Sequence, residues 1–152
     1  MKKLLMVMVL AAAAFGGLRW QQRHSANDGR GRNLALNRFW VDHLPTGERD
    51  KFNVFVIHTE GMGGFAEETQ WKGQIERFRF DIHGNAVHAV FPWTDTTEDF
   101  KVDARPCHEQ GMDYCLELSG SSHGVKRYYS RTGWERKSGE DIEAFEARAF
   151  TR

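Results

Sequence analysis

Short runs in which apolar and polar residues alternate are the feature of this sequence that most restricts its fold. A period of two is typical of a β-strand with one buried face. Turn residues such as His83-Gly84-Asn85 separate the runs, which recur about every dozen residues. The clearest runs are Phe78–Ile82, Val87–Trp93, Phe100–Ala104 and Leu116–Leu118. We therefore predict a mainly β fold, an antiparallel meander of six or seven strands that forms a small barrel or a strongly curved sheet.

The C-terminal end of the sequence has the pattern of a helix instead. Ser138 and Asp141 have the spacing of a capping box, and the apolar residues that follow share one helical face: Ile142, Phe145 and Ala149. We predict a short helix over Gly139–Phe150 that packs across the sheet or one end of the barrel.

The N-terminus has the composition of an export signal. Lys2 and Lys3 precede the apolar run Leu4–Leu18, and small residues crowd the end of that run. The run is shorter than the roughly 20 residues that span a bilayer. It predicts either a cleaved signal peptide or an uncleaved leader helix within residues 1–20 that anchors the protein to the inner membrane. A polar, glycine-containing flexible tether over residues 21–36 and one β-rich domain over residues 37–152 follow.

The charge distribution argues against nucleic acid as a partner. The whole chain has 21 basic and 21 acidic residues. Four of the basic residues and none of the acidic ones precede Ser25, so an exported body would carry an excess of four acidic groups. Binding to nucleic acid requires a clustered basic face.

Two cysteines, Cys107 and Cys115, lie in the part predicted to be exported. In an oxidising compartment such a pair is expected to form a disulfide bond. By the chain-entropy model, the short loop that it closes adds about 2.5 kcal/mol to stability. Zinc motifs need four ligands at closer spacing, so we predict no metal site at these cysteines.

The sequence has no motif in a context that predicts catalysis or metal binding. The pattern GxSxG occurs once, at Gly120–Gly124, but there it has the character of a hairpin turn, whereas a nucleophile elbow joins a strand to a helix. The histidines lack HxH, HxxxH and HExxH spacing. Acidic residues are frequent but fall in predicted loops and on polar faces. We predict no catalytic residues and no cofactor, and rank a carboxylate- or histidine-based hydrolase last among the functions considered.

Large aromatic side chains are the main hint of function, since they make up 12% of the residues. Rings that face the interior of a barrel either fill its core or line a ligand cavity, and the sequence leaves both readings open. The candidate pocket walls are Trp40, Phe55, Phe78, Phe80, Phe91 and Trp93.

Trp40 on the first strand, with Arg127 and Arg131 late in the chain, resembles the Trp–Arg pair that closes the lipocalin-like barrels. Arg38 stands where that pattern has glycine. The segments Trp40–Asp50 and Cys115–Arg131 are also similar to an uncharacterised family of small exported bacterial proteins. These resemblances imply export and a barrel fold.

The sequence leaves two main functions open. One is a periplasmic, secreted or membrane-tethered barrel that binds a small apolar ligand or a lipid. The other is a non-enzymatic interaction or structural module of the cell envelope, with a protein partner.

Overall fold

A computed structural model describes residues 30–69 and 73–141, together with Ala144, Phe145 and Arg148. The predicted leader over residues 1–20 lies outside the described residues. Within the described part of the chain, no helix has the length and apolar character needed to cross a membrane.

Eight strands are found among the described residues. They are β1 (Trp40–Val41), β2 (Phe52–Ile57), β3 (Met62–Glu68), β4 (Gly73–His83), β5 (Ala86–Phe91), β6 (Thr96–Pro106), β7 (Tyr114–Ser119) and β8 (Arg127–Ser130). Every strand pairs antiparallel with the next, and Val41 on β1 pairs with Tyr129 on β8, which closes the barrel. The predicted mainly β meander is confirmed, with one strand more than expected because the two-residue β1 completes the ring.

The two barrel ends differ in what lies there. The loop end carries residues 42–51, 92–95 and 120–126, and the helix end carries the turns 58–61 and 84–85 and the loop 107–113. A helix over residues 30–35 precedes β1 and therefore also lies at the helix end.

Alternation along the strands separates the barrel interior from its outer face. On β4, Phe78 and Phe80 are buried while Arg77 and Arg79 are exposed, as the period of two requires. The interior cluster is built from such positions on all eight strands, together with Ala35 of the helix.

Two of the three glycines that follow β2 belong to a strand. Gly61 makes the turn with a φ of 77°, whereas Gly63 and Gly64 pair with β2 and β4 as part of β3. Gly63 faces the interior, where an added Cβ would lie 2.4 Å from the Phe78 ring. The ring of Phe78 therefore takes the place of a side chain at Gly63.

The expected tether over residues 21–36 is too long at its C-terminal end. Residues 30–35 are helical, and Ala35 is fully buried in the interior cluster. The carbonyl oxygen of Ala35 accepts a hydrogen bond of 3.1 Å from Nε1 of Trp40. This last part of the predicted tether thus belongs to the domain and packs at the helix end.

A second apolar cluster lies on the outer face of the barrel, around Val54, Cys115 and Trp134. The chain after β8 packs against this face. The amide of Phe39 donates to the Trp134 carbonyl at 3.0 Å, and the amide of Arg136 donates to the Asn37 carbonyl at 2.7 Å. These two bonds hold the C-terminal segment (residues 131–141 with Ala144, Phe145 and Arg148) alongside the residues that lead into β1.

The predicted C-terminal helix is present, but its cap is not Ser138. Ala144, Phe145 and Arg148 are helical. The Asp141 carboxylate accepts a bond of 2.7 Å from the Ala144 amide, and its carbonyl accepts one of 3.1 Å from the Phe145 amide. Asp141 is therefore the N-cap, and the helix begins later than the expected Gly139.

The predicted disulfide bond between Cys107 and Cys115 is confirmed, with a Cα–Cα distance of 5.7 Å. It joins the loop after β6 to the second residue of β7 on the outer face, and Cys115 is buried there.

Candidate functional site

Aromatic rings in contact fill the axis of the barrel. Consecutive ring centroids are 5.8 Å apart for Tyr128 and Phe55, 5.0 Å for Phe55 and Phe65, and 5.3 Å for Phe65 and Phe78. Phe91 continues the column, again 5.3 Å from Phe78. Separations of this size are those of packed aromatic pairs, so the interior positions contact one another along the column.

Five of the six candidate pocket walls lie in this interior. Trp40, Phe55, Phe78, Phe80 and Phe91 are at most 8% exposed and belong to one cluster. The sixth does not face inward. Trp93 is 86% exposed because β5 ends at Phe91, which leaves Trp93 in the following turn where strand alternation no longer applies.

The expected stacking of a late arginine on Trp40 is not what the structure shows. Arg131 lies over the Trp134 ring, and Arg127 lies over the Tyr129 ring, each with 5.8 Å between the guanidinium carbon and the ring centroid. Tyr128 faces the interior, so Arg127 and Tyr129 beside it on β8 face outward, whereas Trp40 faces inward.

His123 closes the loop end of the barrel. Its ring stacks on Phe91 at a centroid distance of 4.4 Å and on Phe65 at 5.6 Å. Nδ1 lies 2.8 Å from a carboxylate oxygen of Glu98, and Nε2 lies 3.1 Å from one of Glu76. These three residues, which we call the mouth cluster, fix the loop over residues 120–126 to β4 and β6.

The carboxylate of Glu98 is the most heavily bonded group of the mouth cluster. Burial acts to raise its pKa, but the hydrogen bonds from the Ser122 amide and from His123 outweigh burial, so the pKa of Glu98 lies below its usual value. Ser121 Oγ donates a further bond of 3.3 Å. Ser122 Oγ lies 3.4 Å from His123 Nδ1, but the Glu98 carboxylate lies closer to that nitrogen, at 2.8 Å, and Glu76 faces Nε2. Both ring nitrogens therefore have a carboxylate partner, and these contacts hold the loop.

A groove of about 280 Å³ on the outer face is lined mainly by apolar residues and is open to solvent. Its floor is the outward side of β2 and β3, at Val54, Val56, Gly64 and Ala66, and its walls are Phe39, Ile75 and Phe145. Gly64 deepens the floor, because a Cβ there would have no neighbour closer than 3.6 Å. We call this feature the outer groove. Its volume is near the lower end for small-molecule sites, about 300 Å³.

The groove becomes polar towards the helix end, where His58, Asn37 and Arg136 line it. Nδ1 of His58 is buried and has no hydrogen-bond partner among the described residues. Burial, and then the nearby charge of Arg136, lower the pKa of His58, while Glu60 opposes them. The outer groove therefore combines an apolar body with an unsatisfied imidazole nitrogen and a guanidinium at one end.

One group of possible metal ligands occurs among the described residues: Cys107, Glu109 and Cys115. Both cysteines are consumed by the disulfide bond, so their sulfurs are not thiolate ligands.

Comparisons of the chain with protein-family models, with curated proteins and with solved structures find no match. The eight-stranded barrel is compatible with a lipocalin-like fold.

Neither the outer groove nor the mouth cluster was predicted from the sequence. One signal for the groove was present, since Phe52–Thr59 is apolar on both faces, which indicates a strand covered on both sides. The mouth cluster gave no such signal, because His123 looks like an ordinary turn residue.

Proposed function

We propose that this protein is a non-enzymatic binding protein that holds a small molecule with an apolar body in the outer groove. The observation that carries the proposal is the groove itself, an apolar concavity of about 280 Å³ with several polar groups towards the helix end and Glu68 at the loop end. Sites of small molecules are mostly apolar and carry a small number of polar groups that orient the ligand.

The aromatic rings that fill the barrel interior support a ligand site on the outer face. Ligand binding inside the barrel would require the ring column from Tyr128 to Phe91 to separate and the mouth cluster to break. The outer groove needs neither change, because its floor consists of outward-facing residues that the column does not include.

The N-terminal sequence supports the rest of the proposal. Lys2, Lys3 and the apolar run after them favour export, and a disulfide bond persists in an oxidising compartment. We place the protein in the periplasm or outside the cell, free or tethered to the inner membrane, as a small lipocalin-like barrel of the cell envelope.

A second candidate function is docking of an envelope protein at the loop end. Trp93 favours it, since a side chain of this size that is 86% exposed in a turn is of the type that anchors protein interfaces.

Titration with octanol tests the proposed function, with the protein purified from cells that express the full chain. Binding is followed by the amide resonances of β2 and β3. Gly64→Val places a branched side chain in the groove at a position with room for a Cβ. The matched control is Gly47→Val in the loop 42–51, where a Cβ meets no atom within 4 Å.

We expect saturable octanol binding that Gly64→Val abolishes and Gly47→Val preserves. The melting temperature of each variant shows whether the barrel is intact. Saturable binding that survives in folded Gly64→Val would contradict an outer site, and the lack of any binding to the wild-type protein would leave the docking of a protein as the better candidate.

A further inference from the structure

We infer that the ligand of the outer groove is an amphiphile with an anionic end, a carboxylate or a similar oxyanion, which Arg136 binds. This inference rests on the proposed function and adds the chemical class of the ligand. The chemical class follows from a small polar cavity next to the groove at the helix end.

A small polar cavity continues the outer groove beyond Asn37 and Arg136, which line both spaces. We call it the head pocket. Its volume is about 60 Å³, well above the roughly 15 Å³ that one water needs, and its remaining lining is polar or small: Thr59, Glu60, Lys137, Ser138 and Gly139. An apolar body in the groove would therefore place its polar end at Arg136.

The guanidinium of Arg136 has unused donors at this junction. Its Nε donates to the Glu140 carbonyl at 2.8 Å, and within the described ranges the side chain has no carboxylate partner. The contrast with Arg38 is clear, since that neighbour of the groove already binds the Arg131 carbonyl at 2.8 Å and Glu135 at 3.2 Å. Arg136 is half-buried, so its free donors favour a ligand with acceptor oxygens.

The charges around the head pocket favour an anion. Arg136 and Lys137 are its basic residues, and Glu60 is its acidic residue. The other nearby carboxylate, that of Glu140, is bound by Arg148 at 2.9 Å and by the Lys137 amide at 2.8 Å. A bound carboxylate would thus meet the free donors of the Arg136 guanidinium, with Lys137 adding to the positive charge.

His58 links binding of the anion to a proton. Burial and the charge of Arg136 hold the pKa of His58 below 6.5, with Glu60 in opposition. An anion at Arg136 cancels part of that repulsion and raises the pKa of His58. By reciprocity, binding of the anion strengthens as the pH falls and His58 takes up its proton.

Three probes with one apolar body test the inference: octanoate, octanol and octylammonium. They are titrated into the protein purified from cells that express the full chain, and into Arg136→Gln. The matched control is Arg49→Gln, which removes the same charge from an exposed loop at the opposite end of the barrel. Arg136→Lys keeps the charge without the planar fork.

We expect octanoate to bind about tenfold more tightly than octanol, the effect of one charge-assisted hydrogen bond, and octylammonium to bind most weakly. Arg136→Gln should remove the preference for octanoate but keep the binding of octanol, Arg136→Lys should restore part of it, and Arg49→Gln should retain all of it. In the wild-type protein octanoate, but not octanol, should raise the pH midpoint of the His58 ring resonances.

Equal affinity for octanoate and octanol in the wild-type protein would overturn the inference and leave the proposed function standing. A preference for octanoate that persists in folded Arg136→Gln would overturn the role of Arg136. If neither probe binds, the proposed function fails and the inference fails with it.

Discussion

At the scale of single residues, the two faces of β3 give adjacent glycines different roles. Gly63 faces the interior, where the Phe78 ring occupies the space of a side chain, and Gly64 faces the outer groove, where that space is open. The same residue type thus completes the core at one position and deepens a binding surface at the next.

Substitution of each glycine by alanine tests this difference. Gly63→Ala should lower the free energy of unfolding by about 1–3 kcal/mol, because the new Cβ overpacks against Phe78. Gly64→Ala should change the free energy of unfolding by less than about 1 kcal/mol, since its Cβ would make only ordinary van der Waals contacts. Urea denaturation measures both values, and equal losses would show that the two positions do not differ in this way.

The mouth cluster predicts an acid-sensitive part of the stability. The hydrogen bonds to Glu98 keep its folded-state pKa below the ordinary value of 4.5. A lowered carboxylate pKa stabilises the fold above the unfolded-state value, and this stabilisation is lost as the pH falls through the folded-state pKa. The difference in unfolding free energy between the wild-type protein and Glu98→Gln should therefore shrink below pH 4.5.

Denaturation at a series of pH values checks this prediction. The matched control is Asp81→Asn, which neutralises an exposed carboxylate on the outer side of β4. A difference in unfolding free energy that stays constant across the acidic range would show that ionisation of Glu98 does not stabilise the folded state.

At the scale of elements, Arg148 fastens the C-terminal segment, which carries Arg136 and Phe145. Its guanidinium donates to the carbonyls of Gly133 at 2.5 Å and Glu135 at 2.6 Å and binds the Glu140 carboxylate at 2.9 Å. The bond from Arg148, and then the bond from the Lys137 amide, lower the pKa of Glu140 to about 2. The fastening therefore persists in mild acid.

Arg148→Gln should release the segment while the barrel stays folded. We expect faster hydrogen exchange at the amides of Phe39 and Arg136, which bond across the contact between the segment and the chain before β1. The control is Arg105→Gln, which removes an exposed ion pair with Glu117 at 3.3 Å. Unchanged exchange in Arg148→Gln would mean that the backbone hydrogen bonds and the packing of the segment hold it without Arg148.

The disulfide bond also acts at this scale, since it restrains the loop after β6. Replacement of Cys107 and Cys115 by alanine should lower the free energy of unfolding by about 2.5 kcal/mol, mainly by freeing the unfolded chain. Urea denaturation of the variant and of the reduced wild-type protein should give similar losses. A loss near zero in both would contradict the stabilising role.

The strands differ in how well the sequence predicted them, for physical reasons. The alternation on β4, β5 and β6 is decided by one buried face, which a local pattern records. β1 has two residues and owes its existence to partners on β2 and β8. The helix over residues 30–35 has a polar composition, and it forms against the barrel end through contacts such as that of Ala35 with Trp40.

At the scale of the whole molecule, the aromatic rings and the binding surface are separate. The sequence predicted that large rings face inward, and it left open whether they fill the barrel or line a cavity. The structure puts the rings in mutual contact. The outer groove could not be predicted, because its lining comes from β2, β3, β4, the residues that lead into β1 and the C-terminal segment, which only the folded chain brings together.

Contacts between bound ligand and methyl groups test the central claim, that binding occurs outside the barrel, most directly. With methyl-labelled protein and octanol, intermolecular nuclear Overhauser effects separate the two faces. We predict contacts to Val54, Val56 and Ala66 on the groove floor. Contacts to the interior methyl groups of Val87, Val102 and Leu116 instead would contradict the claim and make the barrel interior the site.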